Sequence, residues 1–214
     1  MGFWMNLDCS LGSVNICEKL DGDCPDDCLA AGFQGTENFN ARFNVSPSLM
    51  NIKTERKAHQ AETFIESQGN VTRLDNPWTS LHTTMYYFCC YTHEEKETIT
   101  KALRNMVWEH FDISYDSFAC NLDHDNITVY LHALPRDQTE LFDFARNLES
   151  TVREQGIQIP SRQTLYHMTL ARVGYDYPTD EVVQYFLDHE SEWDFGTLTF
   201  DAFEMNGLMF RATS

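Results

Sequence analysis

Two short segments, Leu81-His82-Thr83-Thr84-Met85 and Tyr166-His167-Met168-Thr169-Leu170, each carry a histidine followed two residues later by a threonine, and each holds the same place in a repeated order of elements. Alternate side chains of a strand share a face. His82 with Thr84, and His167 with Thr169, therefore project together, while Leu81, Thr83 and Met85, or Tyr166, Met168 and Leu170, turn toward a core. Ahead of the first segment, Ala58, Ala61, Phe64 and Ile65 recur at helical spacing over about 53–68, with Gly69 as a stop. The strand of about 80–91 is followed by Thr92 and Glu95, a capping box that opens a helix to about residue 110 with Ile99, Leu103, Met106 and Val107 as its apolar stripe. Strands at about 113–120 and 126–133 flank the polar turn Asp123-His124-Asp125. At Asp137, an N-cap with Glu140 at N3, the order begins again. A helix carrying Leu141, Ala145, Leu148 and Val152 runs to Gly156, the His167 strand follows, Thr179 opens another helix, and a final strand pair turns at Asn206-Gly207. Helix, histidine strand, helix, strand, strand, written twice, describes a duplicated lobe.

The expected architecture is an α+β bilobal fold in which two antiparallel sheets face a central cleft and helices cover the outer faces. Residues 51–214 form this domain, with one lobe at about 51–135 and the other at about 136–214. Residues 1–50 read as an irregular acidic extension holding four of the seven cysteines, Cys9, Cys17, Cys24 and Cys28. Cys24-Pro25-Asp26-Asp27-Cys28 has the spacing of half a metal site, but no second pair completes a tetrahedral set. Either a disulfide-braced extension or reduced thiols on a tail fits this composition.

The two motifs resemble those of the two-histidine phosphoesterase superfamily, which includes LigT-like RNA cyclic phosphodiesterases and the 2',3'-cyclic nucleotide and 2',5'-oligoadenylate phosphodiesterases. Its defining pattern is His-hydrophobic-Thr/Ser-hydrophobic on the central strands of two pseudo-symmetric lobes. The resemblance covers about 51–214 and implies that His82 and His167 are catalytic and that Thr84 and Thr169 bind substrate. The second copy fits fully, whereas Thr83 stands in the first where the family usually has an apolar residue.

Phosphodiester cleavage needs a nucleophile deprotonated on one side of phosphorus and a leaving oxygen protonated on the other. Two imidazoles titrating near neutrality supply both functions, and two hydroxyls can hold the non-bridging oxygens. No metal or other cofactor is called for. His189-Glu190-Ser191 repeats the spacing but lies among charges at the end of a helix, and the six histidines other than His82 and His167 are read as structural. Strand parity adds Tyr86 and Phe88 as rings able to stack on a base, with Trp78 as a cleft wall. Arg162 and Arg172, flanking the second motif, are candidate phosphate ligands.

A net charge of -18 repels polyanions, so the expected partner is a small nucleotide or a short oligonucleotide end, with no long nucleic acid. The sequence has no run of about 18 apolar residues to span a membrane. The expected state is a cytoplasmic monomer hydrolysing a 2',3'-cyclic or 2',5'-linked nucleotide without metal. Three sequons, at Asn44, Asn70 and Asn126, leave a secreted protein as the other location. The alternative function is a module on the same fold that binds a nucleotide without turnover.

Overall fold

A computed structural model describes residues 35, 37–44, 52–74, 81–122, 128–159, 165–174 and 176–213. The strands are β1 (Glu37–Asn44), β2 (Val71–Leu74), β3 (His82–Tyr91), β4 (Phe111–Ser114), β5 (Ser117–Leu122), β6 (Thr128–Leu134), β7 (Met168–Gly174), β8 (Thr197–Phe200), β9 (Ala202–Met205) and β10 (Leu208–Arg211). The helices are α1 (Ile52–Gln68), α2 (His93–Arg104), α3 (Thr139–Arg153) and α4 (Thr179–Asp188). The duplicated order holds and is richer than expected. Each half runs helix, histidine strand, helix, short strand, hairpin: α1, β3, α2, β4, β5–β6, then α3, β7, α4, β8, β9–β10, with β2 an addition of the first half between α1 and β3.

The short strands β4 and β8 pair with each other as a separate two-stranded sheet. The break after β4 falls at Tyr115-Asp116, where the Tyr115 carbonyl accepts from the Phe195 amide at 3.2 Å and the Asp116 carboxylate accepts from the Arg136 amide at 2.9 Å. The single strand expected at about 113–120 is thus two, β4 and β5, divided at this turn. Thr92 and Glu95 form the expected capping box of α2, but the helix stops at Arg104, capped by Asn105. Asp137 accepts from the Thr139 amide at 3.0 Å, and α3 begins at Thr139 with Gln138 at the N-cap. Asn206 and Gly207 both have positive φ, 54° and 73°, as the two-residue turn of the β9–β10 hairpin requires.

The remaining strands form one antiparallel sheet in the order β10-β9-β1-β3-β7-β6-β5, with β2 also paired to β7. The two expected sheets are thus joined edge to edge, and the joint is the single ladder pair Thr83 with Met168. The lobes are interleaved in sequence: the first half's hairpin β5–β6 pairs with the second half's β7, and the second half's β9 pairs with β1 beside β3. The expected boundary near 135/136 falls in the connection between β6 and α3, and strands from the two sides of it pair with one another.

The stretch read as an irregular extension ends in a strand. In Glu37–Asn44, Phe39, Ala41 and Phe43 alternate with half-buried polar residues, and the apolar set faces the core. Entry to this strand is tight. The Gly35 amide donates to the Cys90 carbonyl at 2.8 Å, and a Cβ at Gly35 would fall 1.7 Å from the Tyr91 carbonyl carbon. Cys90 and Cys120 are both disulfide-bonded.

Helices pack behind the sheet, α3 against β3 and α2, and α1 and α4 against β2, β5, β6 and β7. Phe43 lies at the centre of one aromatic cluster, with ring centroids 4.6 Å from Phe200 and 4.9 Å from Phe144. Phe118 on Phe186 and Phe64 on Tyr185, both stacked at 4.2 Å, anchor the other unit. Pairs of this kind contribute about 0.5–1.5 kcal/mol each beyond burial.

Candidate functional site

The junction between the two units brings the motifs together. Residues directly opposite on antiparallel strands share a face. With Thr83 opposite Met168, one step either side sets His82 across from Thr169 and Thr84 across from His167. All four side chains therefore occupy one face of the sheet, while Thr83, Met85, Met168 and Leu170 are buried on the other. Thr83 accounts for its departure from the apolar pattern: it is fully buried, and its hydroxyl is hydrogen-bonded to that of buried Tyr115. Burial raises the Tyr115 pKa, against the opposing effect of the Thr83 bond.

A β-bulge follows each motif at the same offset. Arg42 pairs with Thr84 but the preceding Ala41 pairs with Tyr86, leaving Met85 as the extra residue. His132 pairs with Thr169 but Leu131 pairs with Ala171, leaving Leu170 as the extra residue. A bulge reverses the parity of everything beyond it. Tyr86 and Phe88, expected to line the cleft, are each 1% exposed in the core, where Phe88 contacts Tyr86 at 5.0 Å and stacks on Phe39 at 4.8 Å. The half-buried Tyr87 takes their place on the site face, opposite Asn40. By the same shift Arg172 reaches the face of His167 and Thr169, the position in the second half that Tyr87 holds in the first. Tyr166, read as core, is fully buried. Trp78 and Arg162 lie outside the described residues.

The structure adds a third histidine, one expected to be structural. His132 on β6 is 4% exposed, its Nδ1 lies 3.2 Å from the Thr169 hydroxyl, and its ring centroid is 4.0 Å from that of His167. Burial, with the nearby charges of His167 and Arg172, holds its pKa well below the usual histidine range. Its one legible signal was an imidazole inside the otherwise apolar run Leu131-His132-Ala133-Leu134.

His167 is pushed down to about 4, chiefly by burial and in addition by the charge of His82, against a raising hydrogen bond to the Leu165 backbone. Its ring is thus neutral at pH 7, and donation to the Leu165 carbonyl fixes the tautomer. Gln138 secures the approach to this strand. Its side chain accepts from the Tyr166 amide at 2.8 Å and donates to the Tyr166 and Pro135 carbonyls, both at 3.1 Å.

On the other side of the junction, Asn44 lies opposite His82 and Arg42 opposite Thr84. Glu204, opposite Arg42 on β9, accepts from Arg42 Nη2 at 2.8 Å, from Arg42 Nε at 3.1 Å and from Asn44 Nδ2 at 2.8 Å. Partial burial raises the Glu204 pKa, but hydrogen bonds from Asn44, Arg42 and the Gly207 amide outweigh it and hold the carboxyl below its usual value. His189 follows α4 and packs on Tyr185, with Nδ1 2.8 Å from the Tyr185 carbonyl and the two rings stacked at 4.2 Å. Among the described residues, no group of three or more His, Cys, Asp or Glu side chains is arranged to hold a metal ion. Two imidazoles, two hydroxyls and an adjacent guanidinium on one face can take a tetrahedral oxyanion and move protons at two of its oxygens.

This arrangement has the fold of known phosphoesterases. The chain superposes on Usb1 from Kluyveromyces marxianus with a TM-score of 0.58 at 7% identity, covering 81% of this chain and 96% of that one. E. coli LigT complexed with 3'-AMP gives 0.54 at 12% identity, covering 83% and 99%. A structure described as a phosphoesterase gives 0.51 at 11% identity, covering 82% and 94%. No protein-family profile matches the chain, and no curated protein does.

Proposed function

We propose that the protein is a metal-independent phosphodiesterase acting on a 2',3'-cyclic or 2',5'-linked nucleotide through paired histidines. The observation carrying this reading is the register at Thr83 and Met168, which puts both histidines and both threonines on one face. The shared fold of LigT and Usb1 supports it, as do the nucleotides bound by those proteins, 3'-AMP and uridine monophosphate. His167, neutral at pH 7, accepts the proton of the attacking hydroxyl or water. His82 donates to the leaving oxygen. Thr84 and Thr169 hold the non-bridging oxygens and stabilise the charge that develops on them. If His132 donates its Nδ1 proton to the Thr169 oxygen, the Thr169 hydroxyl hydrogen remains available to the phosphate. Tyr87 offers a ring for the base.

The cytoplasmic location expected from the sequence fits less well than a secretory one, since bonded Cys90 and Cys120 suit an oxidising compartment. No described helix is long and apolar enough to cross a membrane.

The test is a panel of 2',3'-cyclic nucleotides and short 2',5'- and 3',5'-linked oligomers, assayed with excess EDTA. Turnover of a cyclic or 2',5'-linked member is expected. Nucleotide binding that depends on His82 and His167, with no panel member hydrolysed, would replace the enzyme by a binding module.

A further inference from the structure

The junction pair Thr83 and Met168 carries a local twofold axis normal to the sheet, as directly opposed residues of antiparallel strands do. This axis exchanges His82 with His167 and Thr84 with Thr169. A phosphodiester has the same symmetry, with two bridging oxygens and two non-bridging ones. Seated on the axis, it would offer one bridging oxygen to each imidazole and one non-bridging oxygen to each hydroxyl. The next strands out obey the axis in register and break it in chemistry. Arg42 on β1 lies opposite Thr84, and His132 on β6 lies opposite Thr169, each at the last regular pair before the bulge. Arg42 is bonded to Glu204 of β9, on the far side of β1, and among the described residues the Thr84 hydroxyl has no hydrogen-bond partner. His132 is buried and keeps its Nδ1 3.2 Å from the Thr169 hydroxyl oxygen.

We propose that His132 makes the two phosphate-holding hydroxyls unequal, so that the site distinguishes the two non-bridging oxygens of its phosphate. A threonine hydroxyl has one proton to give and lone pairs with which to accept. Burial keeps the His132 ring neutral, with the charges of His167 and Arg172 acting in the same sense, so the ring carries a single N–H. With that N–H at Nδ1, the Thr169 oxygen accepts from His132 and its own proton is committed to one non-bridging oxygen. A donor fixed in this way needs no reorganisation as charge develops on that oxygen. The Thr84 hydroxyl, with no neighbour to set its rotation, is the weaker grip. His132 is thereby a positioning residue that acts through Thr169. The inference rests on the phosphodiesterase reading for the seat of the phosphate and adds a stereochemical preference to it. Of two phosphorothioate diastereomers, the one that puts sulfur at Thr169 is the poorer ligand, because sulfur is a weak hydrogen-bond acceptor.

The test assays the full chain, in excess EDTA, with the two diastereomers of adenosine 2',3'-cyclic phosphorothioate and with 2',3'-cyclic AMP as their parent. If only a 2',5'-linked oligomer turns over, its phosphorothioate diastereomers take their place. Wild type is expected to favour one diastereomer in kcat/KM by about tenfold or more, and Thr169→Val and His132→Phe to bring the ratio within about twofold. Thr84→Val should preserve the preference, and His132→Asn, which returns an amide N–H, should keep most of it. The ratio compares two ligands of one preparation, so a loss of folded protein alone does not move it. Equal rates in wild type, or a preference that survives Thr169→Val and disappears in Thr84→Val, would overturn the inference. Should His132→Phe fail to fold, the nitrogen-15 shifts of the His132 ring in wild type decide. A proton on Nδ1 is expected, and a proton on Nε2 alone would leave Nδ1 to take the Thr169 proton and end the proposal. Where nothing turns over, dissociation constants from calorimetry carry the same ratio. A diastereomer preference in binding without hydrolysis retains the asymmetry and rejects the phosphodiesterase, and hydrolysis of the parent without the preference does the reverse.

Discussion

Around His82 the neighbours are polar and partly open to water: Asn44 and Arg42 from β1, with Glu204 bridging both. Around His167, itself partly exposed, stand a second and buried imidazole with its ring centroid 4.0 Å away and a backbone carbonyl fixing the ring. The two surroundings grow from a repeated backbone, matched in element order apart from β2 and alike in the bulge three residues past each histidine. What differs is the strand laid beside each motif. β1 supplies amides and a guanidinium to the first, and β6 supplies His132 to the second. The backbone geometry is thus symmetric between the halves, and the neighbouring strands make the two surroundings unequal, the kind of difference that separates the titration of two like groups.

The largest test of that inequality is removal of each imidazole. His82→Ala and His167→Ala should each lower the rate of a panel substrate by at least about 10²-fold, with the double variant far less than multiplicatively worse. A folded single variant with near wild-type turnover would end the division of labour. Next comes His132, which belongs to one half only. His132→Phe should keep a ring against His167 but cost about tenfold in kcat and move the acid limb of the pH profile, while His132→Asn, placing an amide N–H near Nδ1, should recover most of the loss. If the two variants behave alike in both readouts, His132 is packing alone.

Thr83→Val probes the junction itself. It leaves the buried Tyr115 hydroxyl without its Thr83 partner, and chemical denaturation should show a loss of about 1–3 kcal/mol. The smallest effects concern pH. The folded His167 ring titrates near 4, below its unfolded value of about 6.5, so the unfolded chain binds more protons between those limits. Its contribution to stability is present above 6.5 and is lost as pH falls toward 4. Glu62, in α1 behind β7, runs the other way, because burial and the Glu66 carboxylate push it up to about 7 from 4.5. Its contribution is present below 4.5 and lost as pH rises through 7. Glu62→Gln should therefore raise the denaturation midpoint at pH 8 and not at pH 4.5, and His167→Gln should weaken the acid sensitivity.

Strand parity made the shared face of each His–Thr pair legible, since each pair lies before its bulge. Beyond the bulges parity failed, assigning Tyr86 and Phe88 to the cleft and passing over Tyr87. Nothing in the alternation of Met85-Tyr86-Tyr87-Phe88 marks the extra residue, because the bulge arises from pairing with β1 more than 40 positions earlier. His132 was lost for a related reason: its role depends on register with Thr169, a long-range fact. β1 was legible in principle, as Phe39, Ala41 and Phe43 alternate cleanly, but the cysteine-rich, polar stretch around it drew the whole region into one class.

The exchange of hairpins between halves has a consequence for how such a chain comes off the ribosome. When β5 and β6 have been made, the strand that β6 must pair with lies still unmade beyond α3, and apolar Leu131 and Ala133 await a partner. Until then the nascent hairpin presents an open edge, the kind of surface that pairs with a neighbouring chain and that chaperones cover. A gene cut between the repeats would yield two fragments, neither able to close its own sheet. Expressed together, the fragments would be expected to complement each other and to rebuild the face only as a pair.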